Sequence, residues 1–511
     1  MNYKRSSGII FHPTSLPGLD GIGDLGPEAY RWINFLYDAG CELWQVLPLG
    51  PTGYGDSPYQ CFSAFAGNPY LVSSTLLFEE GLLTRADLAD RPVFPEDHVD
   101  YGPVIEWKLK ILDRAFFNFE RSGKKDIQAE FQEFQTQKSN WLSDFALFMA
   151  IKEANSGASW NYWPLPLRTR DETALAEFAK SHAIDLKRHA FRQFLFFRQW
   201  QALRAYAHEK SIRIIGDIPI FVAYDSADAW GNPDLFFLKP DGAPTVVAGV
   251  PPDYYSPTGQ LWGNPLYRWE VHQNRNFDWW VSRFQATLEV VDIIRLDHFR
   301  GFSGYWEVQA ENLTAENGSW VPGPGVKFFE AVSKRLGEIP IIAEDLGVIT
   351  IDVVALRDKF NFPGMKVLQF GFGTDPDDPF LPHNYPTNCV AYTGTHDNDT
   401  SLGWYKSAPE TEQDLCRRYL TSSGENISWD MMRAVWMSVS KMTLATFQDL
   451  LGLGSEARMN FPGKASGNWS WRCKPDQISV EYASRLHELN YLYGRLHKQA
   501  GAPKKKSMHT L

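Results

Sequence analysis

Short apolar runs closed by polar, Gly or Pro residues recur along the chain. Eight of them read as buried strands: residues 8–11, 42–48, 212–218, 290–297, 339–344, 365–372, 389–393 and 444–450. Runs such as Ile212-Arg213-Ile214-Ile215 are almost continuously apolar, which suits parallel strands covered on both faces. From the third onward, most are separated by enough chain for a loop and a helix. Eight such units predict an α/β fold, a closed (β/α)8 TIM barrel, with an open doubly wound sheet as the alternative.

Two intervals depart from this rhythm. Between the second and third runs, residues 70–210 read as mainly helical, with apolar positions at helical spacing in 104–119, 127–154 and 189–208. Phe191, Leu195, Ala202 and Tyr206 fall on one helix face. This predicts a helical subdomain inserted into a single catalytic barrel that spans the whole chain. A shorter stretch, 225–288, is rich in Pro, Gly, Trp and Tyr and reads as loops over the barrel mouth.

Composition narrows the partners. A net charge of -11 argues against nucleic acid, since phosphate binding wants a basic face. The five cysteines are scattered, with no C-x-x-C pair, which fits a reducing and hence cytoplasmic setting. No signal, transit or membrane-spanning segment is read, and Lys504-Lys505-Lys506 reads as a solvated end. The 34 Phe, 21 Tyr and 19 Trp fit two readings equally: stacking on sugar faces, or large aromatic cores.

Reactive residues of a parallel barrel sit at the carboxyl ends of its strands. Arg295 and Asp297 close the fourth run two residues apart, so on a strand they share a face. The arginine favours the ionised carboxylate that a nucleophile needs, although a structural ion pair has the same spacing. The fifth run ends in Glu344-Asp345, of which only one can face the barrel axis while the other caps a helix. The seventh ends in Thr393-Gly394-Thr395-His396-Asp397-Asn398-Asp399. Three strands ending in acids at one mouth suit retaining glycoside chemistry, which needs a nucleophile and an acid/base. His298, His396 and the acids lack metal-ligand spacing, and neither a Gly-x-Ser-x-Gly elbow nor a Walker motif occurs.

Long strings then carry a resemblance: His12-Pro13-Thr14-Ser15-Leu16-Pro17-Gly18, Gly53-Tyr54-Gly55-Asp56-Ser57-Pro58-Tyr59-Gln60, Gly216-Asp217-Ile218-Pro219 and Pro251-Pro252-Asp253-Tyr254-Tyr255-Ser256. Gly259-Gln260-Leu261-Trp262-Gly263-Asn264-Pro265 and Arg458-Met459-Asn460-x-Pro462-Gly463 continue it. The chain resembles the 4-α-glucanotransferase (amylomaltase, disproportionating enzyme) family of the α-amylase clan. That resemblance implies Asp297 as nucleophile, Glu344 as general acid/base and Asp397 as the acid that holds sugar hydroxyls in the transition state. It implies Arg295 orienting Asp297, and His396 and Asp217 beside the donor sugar. It further implies Ser57, Tyr59, Gln260 and Trp262 as sugar contacts, and Tyr54 in a surface glucan-binding region. Spacing alone does not choose Glu344 over Asp345, nor Asp397 over Asp399. Gln369-Phe370-Gly371-Phe372-Gly373-Thr374-Asp375 departs from the family, which more often has an acid directly after the aromatic. The substrates implied are α-1,4-glucans and maltooligosaccharides, with no cofactor or metal; a hydrolase of the same clan would carry the same acids. Residues 249–265, with Tyr254, Tyr255 and Trp262, are expected to cover the site against water.

Overall fold

The computed structural model describes residues 4–252, 256–373, 375–464 and 466–496, so Tyr254, Tyr255, Thr374 and Lys504–Lys506 lie outside the described residues. In chain order its strands are β1 (Ser6–Ile10), β2 (Leu43–Gln45), β3 (Arg213–Pro219), β4 (Val246–Val250), β5 (Gln260–Pro265) and β6 (Ile293–Asp297). They continue as β7 (Gly304–Gln309), β8 (Gly318–Pro322), β9 (Ile341–Ala343), β10 (Gly364–Val367), β11 (Cys389–Tyr392) and β12 (Met442–Thr446).

Eight of these close a parallel barrel in the order β1-β2-β3-β6-β9-β10-β11-β12, with β12 pairing back on β1. Each of the eight apolar runs supplies one barrel strand, and the sheet is closed. Element ends differ from the sequence reading where an apolar run passes from one element into the next. Val290 ends the helix Asp278–Val290, and the run at 365–372 turns into a short 3-10 helix at Leu368–Gly371. The run at 444–450 is half strand and half helix, since Phe447–Leu451 is helical. Inside the barrel, Ile215, Ile293, Ile342, Met365, Val390 and Leu444 pack as one cluster, a filled core rather than a pore.

Between β2 and β3 the chain runs through the helices Tyr101–Ser122, Lys125–Gln137, Ser139–Ala154 and Ala183–Glu209, among shorter ones. Phenylalanines hold them: Phe191 stacks on Phe119 at 4.5 Å and takes Phe131 edge-on at 5.5 Å. Trp32, Trp44, Trp200, Trp230, Trp280 and Trp436 are fully buried. Much of the aromatic excess is therefore core. Lys108 fastens the first long helix to the loop after β1, donating to Asp20 at 3.0 Å and to the Val72 carbonyl at 2.8 Å. Burial pushes Asp20 up, but Lys108 and the Ser74 and Trp107 donors outweigh it and hold its pKa at about 2.

The remaining strands form an antiparallel sheet in the order β5-β4-β7-β8. Sequence reading saw only loops in the region of β4 and β5, and nothing at β7 and β8. Val246, Ala248 and Tyr305 bury one face of this sheet. The sheet stands beside the barrel mouth, where β5 carries Gln260 and Trp262 to the cleft.

Candidate active site

The site grows from the register of β3 and β6. Asp217 lies beside Arg295 and Pro219 beside Asp297, so the arginine has one carboxylate across from it and another two residues ahead on its own face. A single Arg295 nitrogen, Nη1, donates to Asp217 Oδ2 at 2.6 Å and to Asp297 Oδ1 at 2.8 Å. Arg295 is buried, its Nε lies 3.4 Å from Met365 Sδ, and its pKa is raised: burial lowers it, but the surrounding acids prevail. Asp217 is sealed from solvent, accepts a second bond from the Tyr59 hydroxyl at 2.7 Å, and has no partner for Oδ1 among the described residues. Burial and the negative Asp297 push its pKa up to about 6 against the pull of Arg295.

After Asp297 the chain turns sharply. His298 adopts a left-handed conformation (φ 50°, ψ 50°), uncommon without glycine. The turn aims the His298 N–H at Glu344 Oε2, 2.7 Å away, while the Leu346 N–H reaches Oε1 at 2.9 Å. Backbone bonds from Glu344 N–H to the Leu296 carbonyl and from Phe299 N–H to the Glu344 carbonyl clamp the two strand ends together. Burial is the largest influence on Glu344 and the Asp297 charge adds to it; together they raise its pKa to about 7 despite Arg295 and the two amides. Asp345 points elsewhere. It is buried, paired with Arg357, and accepts the Met365 N–H at 2.7 Å.

Beyond β11 the chain delivers Asp397 into the cleft, with 45% of its side chain exposed there. His396 Nε2 lies 3.3 Å from Asp397 Oδ2, and Asn460 Nδ2 donates to Oδ1 at 2.6 Å. Burial works to raise the Asp397 pKa, yet His396 and Asn460 outweigh it, so Asp397 stays well below the usual carboxylate range. Burial likewise opposes a charged His396, and Asp397 overrides it, raising the imidazole. Asp399 is a local brace: it accepts the Thr400 N–H at 2.8 Å and the Ser455 hydroxyl at 2.7 Å. The geometry thus separates the two pairs of acids that spacing could not.

Asp297, His298, His396, Asp397 and Asn460 line a cleft of ~580 Å³, together with Tyr54, Ser57, Tyr59, Gln260, Trp262 and Trp469. Tyr59 stacks on His396 at 5.1 Å and 18°, with Trp469 beside both. Trp262 meets His298 edge-on at 4.8 Å and donates to Gln260 Oε1 at 3.1 Å. Tyr54 stands 78% exposed at the rim. Sequence reasoning assigned no role to Asn460 or to the His298 amide. Asn460 had a visible signal, its place in the segment 458–463 matched by the resemblance; a backbone amide leaves none. Among the described residues, no group of three or more His, Cys, Asp and Glu could hold a metal ion, and no helix is long and apolar enough to cross a membrane.

A parallel barrel with an arginine-held Asp, a half-buried Glu beside it and a third acid at the same mouth belongs to the enzymes that act on glycosidic bonds. Comparison with known proteins narrows this. The chain belongs to the 4-alpha-glucanotransferase family, whose model matches residues 11–478. It is 52% identical over 497 residues to the 4-alpha-glucanotransferase of Thermus thermophilus, covering 96% of this chain and 99% of that one. A 4-alpha-glucanotransferase of Synechocystis sp. is 51% identical over 496 residues, covering 96% and 98%. Among solved structures, the amylomaltase of Streptococcus agalactiae in complex with acarbose superposes with a TM-score of 0.94 at 40% identity, covering 96% of this chain and all of that one.

Proposed function

We propose that this protein transfers α-1,4-glucan segments between maltooligosaccharides or storage-type glucans by a retaining double displacement. Asp297 is the nucleophile, Glu344 the general acid/base and Asp397 the acid that binds sugar hydroxyls. The observation that carries these roles is the opposite tuning of two carboxyls around the cleft. Glu344 is raised to about 7, so near neutrality a large fraction holds a proton to give, while Asp397 stays ionised.

In the first step Asp297 attacks the anomeric carbon as the bond to the leaving glucan breaks, and the Glu344 proton passes to the departing oxygen. Positive charge on the oxocarbenium-like sugar is met by Asp297 and Asp397. In the second step Glu344, now a base, takes the proton of an acceptor hydroxyl, whose oxygen displaces Asp297. Two inversions give retention. Arg295 aims Asp297 by donating to its Oδ1, and Asp217, itself held by Tyr59, fixes Arg295. Tyr59, His396, Ser57, Gln260 and Trp262 are sugar contacts, and Tyr54 extends the glucan path at the rim. The covalent ester is open to water, so the site must stay dry until an acceptor arrives; the β5 segment with Trp262 covers it. The five cysteines are free thiols, as suits the cytoplasm.

Pure protein with maltotriose tests the activity. A ladder of longer α-1,4-oligomers plus free glucose is the expected product. Reducing ends that rise in step with substrate loss, with no longer products, would mark a hydrolase instead.

A further inference from the structure

Trp469 stands at the site without a part in the catalytic cycle above. Its ring lies 5.8 Å from that of Tyr59 and 5.9 Å from that of His396, while Tyr59 and His396 lie nearly parallel at 5.1 Å and 18°. The three rings thus form one triangle, and His396 is set against two aromatic rings. Trp469 is firmly mounted there. Its backbone is left-handed (φ 62°), which a bulky residue adopts only where its surroundings over-determine it. The Trp469 N–H donates to the Met459 carbonyl at 2.7 Å, and the Tyr101 hydroxyl donates to the Trp469 carbonyl at 2.9 Å. Two further bonds pin the same segment to the chain that enters the first long helix: Val99 N–H to the Ser470 carbonyl at 2.7 Å, and Arg472 N–H to the Asp97 carbonyl at 3.0 Å. Strain held in place beside a catalytic cleft points to a role in the chemistry more than to packing alone.

His396 is the residue such a mount would serve. Its Nε2 lies 3.3 Å from Asp397 Oδ2, and its Nδ1 is buried with no hydrogen-bond partner among the described residues. Burial disfavours the imidazolium, and Arg295 adds to that; Asp397 and Asp217 favour it. The neighbouring His12 stays neutral, its pKa pushed down to about 3 by burial and by His396. An aromatic face attracts a cation within about 6 Å of its centroid, an indole most strongly, and more so when the pair is desolvated. Tyr59 and Trp469 are both within that range.

We propose that Trp469 is a positioning residue for the reaction: it backs Tyr59 and His396, and with Tyr59 it keeps His396 charged and bonded to Asp397. Trp469 acts through these side chains and not through contact with the sugar. The assignment rests on the roles given above to His396 and Asp397.

The test follows the imidazole signals of the full chain by NMR in the wild type, Trp469→Phe and Trp469→Leu, with His396 assigned from the signal lost in His396→Asn. Phenylalanine keeps a weaker aromatic face, and leucine removes it. In Trp469→Leu the His396 pKa should fall by about one pH unit, equivalent to ~1.4 kcal/mol, and in Trp469→Phe by less. Glu344 titrates near the same pH, so rates alone do not separate the two groups, whereas the imidazole signal does. With maltotriose at pH 7, kcat should drop about ten-fold or more in Trp469→Leu, with KM nearly unchanged, and recover in part in Trp469→Phe. A His396 pKa that stays at the wild-type value, or a loss confined to KM, would make Trp469 a core residue or a sugar platform and overturn the proposal. Should Trp469→Leu fail to fold, Trp469→Phe decides alone, since its His396 must still titrate below the wild type. A wild type that does not transfer from maltotriose would end the activity reading, and the His396 shift would stand or fall separately.

Discussion

Replacing Arg295 by Met removes one cation from between two acids, and the structure sets the size and pH dependence of the damage. Asp217 would keep only the Tyr59 hydroxyl at 2.7 Å, in a place with no solvent access. Breaking a buried pair by removing one partner costs about 3–5 kcal/mol. Asp217 can relieve part of that cost by taking a proton. Its folded-state pKa is already about 6, above an unfolded value of ~3.9. A raised folded pKa contributes stability that is full below the unfolded value and is lost as pH rises through the folded one. In the wild type that loss is complete a little above pH 6. Without Arg295, which lowers the Asp217 pKa, the loss continues to higher pH. Glu344, which Arg295 also lowers, shifts in the same direction. Each pH unit of this extension adds about 1.4 kcal/mol, so most of the penalty develops between roughly pH 6 and 8. Urea unfolding followed by tryptophan fluorescence at pH 5.5 and pH 8 measures it. The gap in unfolding midpoint between wild type and Arg295→Met should be clearly wider at pH 8. An equal gap, or a wider one at pH 5.5, would refute the argument that Arg295 is retained to neutralise buried charge.

Because Glu344 must hold its proton in the first step and is raised to about 7, kcat/KM should fall as pH rises through about 7; a profile flat to pH 9 would assign the acid elsewhere. Glu344→Gln should lose about 10²–10⁴ in rate, whereas Asp345→Asn, which keeps an acceptor for the Met365 N–H, should lose far less; parallel kinetics of the two variants decide this. Trp262→Ala should raise the ratio of hydrolysis to transfer on maltotriose several-fold, about the loss of one stacked ring. An unchanged ratio with both rates falling together would mean that Trp262 only holds the donor.

The barrel was readable because parallel strands covered on both faces show as apolar runs, and all eight did. The last was read two residues late, since Phe447–Leu451 continues the apolar run of Met442–Thr446 as a helix. The antiparallel sheet was unreadable for a different reason. β4 and β5 lie among Gly and Pro that signal turns, and the β7 sequence Gly304-Tyr305-Trp306-Glu307-Val308-Gln309 lacks clean alternation. Arg295 and Asp297 declared a shared face by their spacing. The choice between Glu344 and Asp345 is a matter of which carboxyl meets the amides of His298 and Leu346, and these come together only through the left-handed turn at His298. Asn460 reaches Asp397 across 63 positions of chain, a contact that no local pattern encodes.

The central claim is that Asp297 forms the glycosyl ester and Glu344 supplies the proton. Glu344→Gln leaves Asp297 and Arg295 in place but removes the acid, so a maltooligosyl donor with a good leaving group, such as a fluoride, can glycosylate the enzyme without proton donation. Release to an acceptor then lacks its base, and the ester accumulates. Mass spectrometry of proteolytic fragments measures where the sugar sits. The account predicts one added maltooligosyl group per chain on the peptide containing Asp297, and none in the Asp297→Asn, Glu344→Gln double variant. A label on Asp345, Asp397 or Asp292, or an unlabelled protein that still turns over the fluoride donor with retention, would contradict it.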